Sequence, residues 1–74
     1  MHTDMDAHLI YTESKDGKLF LCWSDEKKEA AWILRDIIGR VNGHFGLVAY
    51  FDRDLAEKRA KSFGAKVKSE TIKQ

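Results

Sequence analysis

The chain has 74 residues, of which 43% are hydrophobic and 34% charged, and its net charge is +1. A chain this short forms one domain with a thin core, because it buries only about 60% of its unfolded surface. No apolar stretch approaches the ~20 residues of a membrane span, the first residues lack the apolar core of a signal peptide, and the single Cys22 cannot form an internal disulfide. We therefore expect a cytoplasmic protein of a reducing compartment, with no membrane partner.

The small net charge conceals an asymmetry along the chain. Residues 1–29 carry 4 Lys/Arg against 7 Asp/Glu, whereas residues 53–74 carry 7 Lys/Arg against 3 Asp/Glu. A basic C-terminal third can steer an acidic partner towards the protein. The alternative interpretation is an ordinary solvated helix and edge strand.

Residues 1–7 are predicted to form a flexible tail, and residues 8–74 a single α+β domain. A first strand is predicted from His8 to Glu13 and a second from Leu19 to Trp23, joined by an Asp16-Gly17 turn. The alternation of side chains divides this hairpin into two faces, with Tyr11 opposite Cys22. One face carries Ile10, Thr12, Leu19, Leu21 and Trp23, and the other carries Leu9, Tyr11, Glu13, Phe20 and Cys22.

An amphipathic helix is predicted after the hairpin. Ser24 or Asp25 would cap its start and Asn42-Gly43 would end it. At 100° per residue, one face collects the apolar side chains of Ala30, Ile33, Leu34, Ile37, Ile38 and Val41. Trp32 then falls on the opposite, polar side of this helix.

The rest of the chain predicts a strand, a helix and a last strand. The strand runs from Leu47 to Phe51, and Asp52 caps a helix over Arg53 to Phe63, which Gly64 ends. The stripe that this helix buries would contain Leu55, Ala56, Ala60 and Phe63. Ala65 to Ile72 alternates lysines with smaller residues, as protected edge strands do. The order ββαβαβ predicts a mixed four-stranded sheet with both helices on one face.

The first candidate site is Trp32 with its neighbours Lys28 and Arg35. A tryptophan on the polar side of a helix has no core to fill, and exposed aromatic residues are enriched at binding hot spots. We therefore expect a protein partner or self-association through this surface. The alternative is that Trp32 packs on the N-terminal tail or on the aliphatic stems of Lys28 and Arg35.

The second candidate site is the sheet face that the helices leave open. It would present the side chains of Tyr11, Phe20, Tyr50, Lys66 and Lys68. Aromatic rings interleaved with lysines can stack and bind a single-stranded nucleic acid. The alternatives are that Tyr and Phe are ordinary strand residues here, or that this face is covered by a second copy or by residues 1–7.

The third candidate site is Asp52-Arg-Asp54, where a strand meets a helix. Two carboxylates at this spacing can hold Mg²⁺. The segment Leu-Val-Ala-Tyr-Phe-Asp-Arg-Asp-Leu-Ala, residues 47–56, resembles the Asp-x-Asp stretch of Toprim domains, which handle phosphodiester chemistry in topoisomerases and primases. The resemblance implies a metal at Asp52 and Asp54, although Glu57 stands where that family usually has glycine and Trp23-Ser24 where it has a glutamate. The alternative is that both aspartates only favour the start of the helix.

No catalytic residue and no cofactor are predicted. His2, His8 and His44 are scattered, and none has metal-ligand spacing with the one cysteine. Cys22 lies in the middle of a predicted strand, where a cysteine is usually a small buried hydrophobe. The sequence therefore favours a non-enzymatic, regulatory protein-interaction domain, with nucleic-acid binding as the alternative.

Overall fold

The structure, a computed structural model, describes residues 5–72. This part of the chain forms six strands and two short helices. The elements are β1 Met5–Ser14, β2 Gly17–Ser24, β3 Glu29–Leu34, a 3₁₀ helix Arg35–Arg40, β4 Phe45–Leu47, β5 Ala49–Tyr50, α1 Arg53–Ser62 and β6 Lys66–Ile72. The strand pairings are antiparallel. A small α+β domain is thus confirmed. Within residues 5–72, neither helix is long and apolar enough to cross a membrane.

The hairpin of β1 and β2 has the predicted faces but not the predicted register. Ser14 pairs with Gly17, so the turn is one residue earlier than expected, and Tyr11 lies opposite Phe20 instead of Cys22. Gly17 has a φ of 124°, a conformation that glycine adopts without steric cost. A register shift of two residues keeps every side chain on its face, because the side chains of a strand alternate with a period of two.

Beyond the hairpin, β1 and β2 separate and other strands pair with them. The segment 45–50 fills the fork between them: β4 pairs with β2 at Cys22 to Ser24, and β5 pairs with β1 at His8 and Leu9. The Val48 N–H between β4 and β5 donates to the carbonyl of Leu21 at 3.0 Å. On the outer sides, β6 pairs with β1 from Met5 onwards, and β3 pairs with β2. The sheet therefore ends at β3 on one side and at β6 on the other.

The predicted first helix is wrong. Its N-terminal half is β3, which pairs with β2 over its whole length, and only Arg35–Arg40 is helical, as a 3₁₀ helix with no side-chain cap. A turn with Lys28 at a φ of 55° connects Ser24 to Glu29 and reverses the chain. The apolar residues of this segment recur with a helical period, but tryptophan and isoleucine favour strands over helices. Pairing with β2 therefore decides the structure of the segment. Neither the ββαβαβ order nor the mixed four-stranded sheet is confirmed.

The helix α1 and its caps are confirmed. The Asp52 carboxylate accepts hydrogen bonds from the N–H groups of Asp54 and Leu55, and Gly64 has a φ of 66° just after the helix. Ala56 and Ala60 are buried, whereas Leu55 and Phe63, predicted for the buried stripe, are exposed. The small alanines let α1 pack closely on β1, β5 and β6, while the 3₁₀ helix contacts β2, β3 and β4. The two helices therefore cover different strands.

Leu9, Phe20, Cys22 and Ile33 are buried on one face of the sheet. The other part of the core lies between α1 and the opposite face. Its centre is Ile10, Leu21 and Ala60, against which Val48, Tyr50, Ala65 and Val67 pack. On the same side, buried His8 of β1 shares a hydrogen bond of 2.7 Å between its Nδ1 and the Oγ of Ser69, its partner on β6. The pairing register of β1 and β6 brings these two side chains together, which satisfies a buried polar ring.

Candidate functional site

An apolar groove runs between the C-terminal end of α1 and the strands β2 and β3. It encloses about 290 Å³ and is lined by Leu21, Trp23, Ala30, Val48, Tyr50, Arg59 and Phe63. Four elements contribute to it, namely β2, β3, β5 and α1, together with the segment around Val48. We call it the aromatic groove.

The strand register places Trp23 in this groove and Trp32 beside it. Trp23 of β2 pairs with Ala30, and Leu21 pairs with Trp32 of β3, so all four side chains lie on the face that packs against α1. Trp32 forms the rim, because its ring meets that of Phe63 edge-on at a centroid distance of 5.9 Å. Edge-to-face geometry is the favourable arrangement of two aromatic rings. The rim is therefore held in a defined position.

The rings at this groove are open to solvent. Trp23 is 42% exposed, Trp32 36% and Phe63 53%. Large side chains that form one continuous exposed patch mark binding surfaces, unlike single exposed hydrophobes, which are normal. Tryptophan in particular supplies much contact area and is enriched at hot spots. This patch is the strongest signal of binding in the described structure.

The groove also has two polar groups. The indole N–H of Trp23 donates to Asp25 Oδ1 at 2.8 Å, which fixes the orientation of that ring. Arg59 lines the opposite wall, and its guanidinium forms no ion pair with any residue in the range 5–72. A guanidinium without a carboxylate partner, beside exposed aromatic rings, can bind an anionic group bidentately.

The structure does not bring together the predicted set Trp32, Lys28 and Arg35. Lys28 lies in the turn before β3, and Arg35 follows β3 on the opposite face from Trp32, with its guanidinium 5.6 Å from the ring centroid of Phe20. Both guanidinium NH groups of Arg35 donate to the carboxylate of Glu70, one of them at 2.8 Å. This hydrogen bonding raises the pKa of Arg35 and lowers the pKa of Glu70. Of the three residues, only Trp32 lies at the aromatic groove.

The predicted nucleic-acid face is partly assembled. Tyr11, Phe20, Lys66 and Lys68 share one face through their register, whereas Tyr50 packs into the core on the other. Phe20 is only 3% exposed, and its ring contacts Tyr11 at 5.8 Å and Arg35.

Carboxylates lie next to both lysines of this face. Lys66 Nζ is 3.8 Å from Glu13, and Lys68 Nζ is 3.4 Å from Glu70. An aromatic platform for bases needs an open ring and unpaired cations. This face offers neither at Phe20, Lys66 or Lys68.

Asp52 and Asp54 lie together at the start of α1. Asp52 Oδ1 accepts from the N–H groups of Asp54 at 2.9 Å and Leu55 at 3.2 Å, which is the geometry of an N-cap. Within residues 5–72, no three His, Cys, Asp or Glu side chains lie close enough together to hold a metal ion. The role that this geometry supports for Asp52 is capping.

Two of the larger hollows differ in character from the aromatic groove. One, of about 640 Å³, lies among the turn and loop residues 26–27 and 38–45, where His44 Nδ1 contacts the Glu26 carboxylate. The other, of about 500 Å³, lies between α1 and β6, where Arg53 pairs with Glu57 at 3.1 Å. The volume of a hollow does not by itself indicate a binding site. Charged side chains that already form ion pairs with each other are less available to bind a ligand.

Trp23, Phe63 and Arg59 were missed as site residues by sequence reasoning. Trp23 and Phe63 were assigned to buried faces, and a lone arginine in a basic helix carries no signal. Comparison with protein-family models, with curated proteins and with solved structures gave no match. The function is therefore argued from the geometry of the site.

Proposed function

We propose that this chain is a non-enzymatic protein-binding domain whose aromatic groove accepts an apolar segment of a partner protein. The observation that carries the proposal is the exposure of Trp23 and Phe63, which line the groove, and of Trp32, whose ring contacts Phe63. The groove encloses about 290 Å³, at the lower limit of the roughly 300–1,000 Å³ typical of small-molecule sites. It has room for one or two side chains of a larger partner, which favours a protein segment over a free metabolite.

The charge of the groove indicates which kind of partner segment would bind there. Arg59 is the one cationic side chain among the residues that line the groove. A carboxylate next to the apolar side chains of the partner would pair with Arg59 and fix the direction in which the segment lies. We therefore propose an apolar segment with an aspartate or glutamate within a few residues of its anchor.

A binding role also fits the one cysteine. Cys22 is buried in β2, and burial raises the pKa of its thiol, which keeps the reactive thiolate form rare. A free buried thiol is compatible with a reducing compartment, and we propose a cytoplasmic location and a regulatory role for the domain.

The test is a selection of 12-residue peptides displayed on phage against the whole chain, followed by calorimetry with the recovered peptides. We expect peptides that combine a large apolar residue with an acidic one. Phe63→Ser and Arg59→Glu should each weaken their binding at least about 10-fold, the effect of losing one hot-spot contact.

Two exposed positions outside the groove provide matched controls. Phe51 is 59% exposed, so Phe51→Ser removes a comparable ring, and Lys58→Glu reverses a neighbouring charge on α1. Both controls should bind as the unchanged protein does. Peptides that bind all four variants equally, or no enrichment of any peptide, would contradict the proposal.

A further inference from the structure

The two edges of the sheet differ in how they are protected. At one edge, β6 alternates Lys66 and Lys68 with smaller residues, and charged side chains of this kind discourage pairing with another chain. At the other edge, β3 reads Glu-Ala-Ala-Trp-Ile-Leu and, within residues 5–72, pairs only with β2. A mainly apolar edge strand with no proline and no internal charge is able to accept a further strand.

We propose that β3 pairs antiparallel with β3 of a second copy of this chain, with Trp32 of one copy opposite Trp32 of the other. Two antiparallel strands in one sheet keep their faces continuous only when residues of the same face lie opposite each other. For β3 paired with itself, the allowed registers therefore differ by two residues. Charge distinguishes between these registers.

In the register centred on Trp32, opposite charges meet at both ends. Ala31 lies opposite Ile33 and Ala30 opposite Leu34, which brings Glu29 to Arg35, the residue that follows the strand in the other copy. Beyond the strand ends, Lys28 of the turn comes to the same end of the contact as Asp36 of the other copy's 3₁₀ helix. The two-fold symmetry doubles both contacts. Glu29 and Arg35 also belong to the same sheet face, because Ser24, the partner of Glu29, shares a face with Phe20, which Arg35 covers.

The neighbouring registers lose this complementarity. With Ala31 facing itself, Glu29 lies opposite Ile33 and Lys28 opposite Leu34. With Ile33 facing itself, Arg35 lies opposite Ala31 and Asp36 opposite Ala30. Lys28, Glu29 and Asp36 form no ion pair within residues 5–72, so they are available to the second copy. Arg35 is bonded to Glu70 through its two terminal nitrogens, which leaves its Nε–H to donate to Glu29 of the second copy.

The inference uses the edge of β3, not the interior of the aromatic groove, and so it goes beyond the proposed function. Six residues of strand give a small contact, which places the association in the weak class of interfaces. The two grooves would lie side by side across the two-fold axis, on the same face of one continuous sheet.

Sedimentation equilibrium over a wide concentration range tests the proposal. The expected mass rises with concentration from 8.5 kDa towards twice that value. Lys28→Asp and Asp36→Lys should each weaken the association about 10-fold, because each places like charges together at both ends. The double variant, Lys28→Asp with Asp36→Lys, should restore it. Lys28 has a φ of 55°, which aspartate tolerates better than most residues, so the substitution is compatible with the turn.

Lys61→Asp, an exposed lysine on α1, serves as the control and should associate like the unchanged chain. Circular dichroism shows whether each variant is folded. A single mass of 8.5 kDa up to millimolar concentration would overturn the proposal, as would a double variant that associates no better than the single ones. Neither result would affect peptide binding in the groove, since Arg59→Glu and Phe63→Ser test that separately.

Discussion

Ser24 joins two loops through one buried hydroxyl. Its side chain is fully buried; the Oγ donates to the carbonyl of Gly43 and accepts from the N–H of Lys27 at 3.0 Å. Ser24→Ala removes the side-chain partner of both backbone groups at a fully buried position. We expect it to lower the free energy of unfolding by about 1–3 kcal/mol, measured by urea denaturation.

The control for this substitution is Ser14→Ala. Ser14 also donates to a carbonyl, that of Gly17 at 2.8 Å, but it is exposed and water can replace the bond. Ser14→Ala should therefore lower the free energy of unfolding by only about a few tenths of a kcal/mol. If both substitutions lowered the free energy of unfolding equally, the burial of Ser24 would not be the reason for the contribution of its hydroxyl.

The pair of Arg35 and Glu70 predicts a dependence of stability on pH. The hydrogen bond from Arg35 lowers the pKa of Glu70 in the folded state below the ordinary glutamate value of about 4.3. The stability that the pair contributes is therefore fully present above the unfolded pKa and is lost as the pH falls through the lowered folded pKa.

Glu70→Gln should accordingly destabilise the protein by about 0.5–1 kcal/mol near pH 7 and by much less near pH 3. Urea denaturation of both chains at the two pH values measures this difference. A loss that is the same at both pH values would show that Glu70 acts through packing alone.

At the scale of elements, substitutions of Asp52 distinguish a helix-capping role from a metal-binding role. Asparagine caps a helix about as well as aspartate, whereas alanine does not, so Asp52→Asn should preserve stability and Asp52→Ala should lose about 1 kcal/mol. Thermal denaturation with and without millimolar Mg²⁺ measures both effects. A stabilisation by Mg²⁺ that disappears in Asp52→Asn would instead support the metal site that the Asp-x-Asp resemblance implies.

The elements differ in how far the sequence determines them. The hairpin faces, α1 with its caps, and the lysine-bearing edge strand were all predictable, because each depends on local turn, cap or alternation chemistry. β3 was not predictable, because Ala30, Ile33 and Leu34 fit a helical period and also fit a strand. What decides between them is pairing with β2, a contact that no local pattern records.

At the scale of the whole molecule, the aromatic groove could be predicted only in part. Trp32 was expected to be exposed and is exposed, although it lies on an edge strand and not on a helix. Trp23 and Phe63 follow apolar patterns that normally indicate burial. They remain open because α1 reaches the sheet over β1, β5 and β6 and leaves β2 and β3 partly uncovered. The groove thus results from where α1 ends, which is a property of the tertiary structure.

The measurement that tests the central proposal most directly is an NMR titration of the whole chain with a peptide recovered from the selection. The proposal predicts shifts of the indole N–H signals of Trp23 and Trp32 and of the amides around Arg59 and Phe63, with the amides of Tyr11 and Lys66 unchanged. Shifts confined to the face of Tyr11 and Lys66, with both indole signals unmoved, would contradict the proposal that the aromatic groove is the binding site.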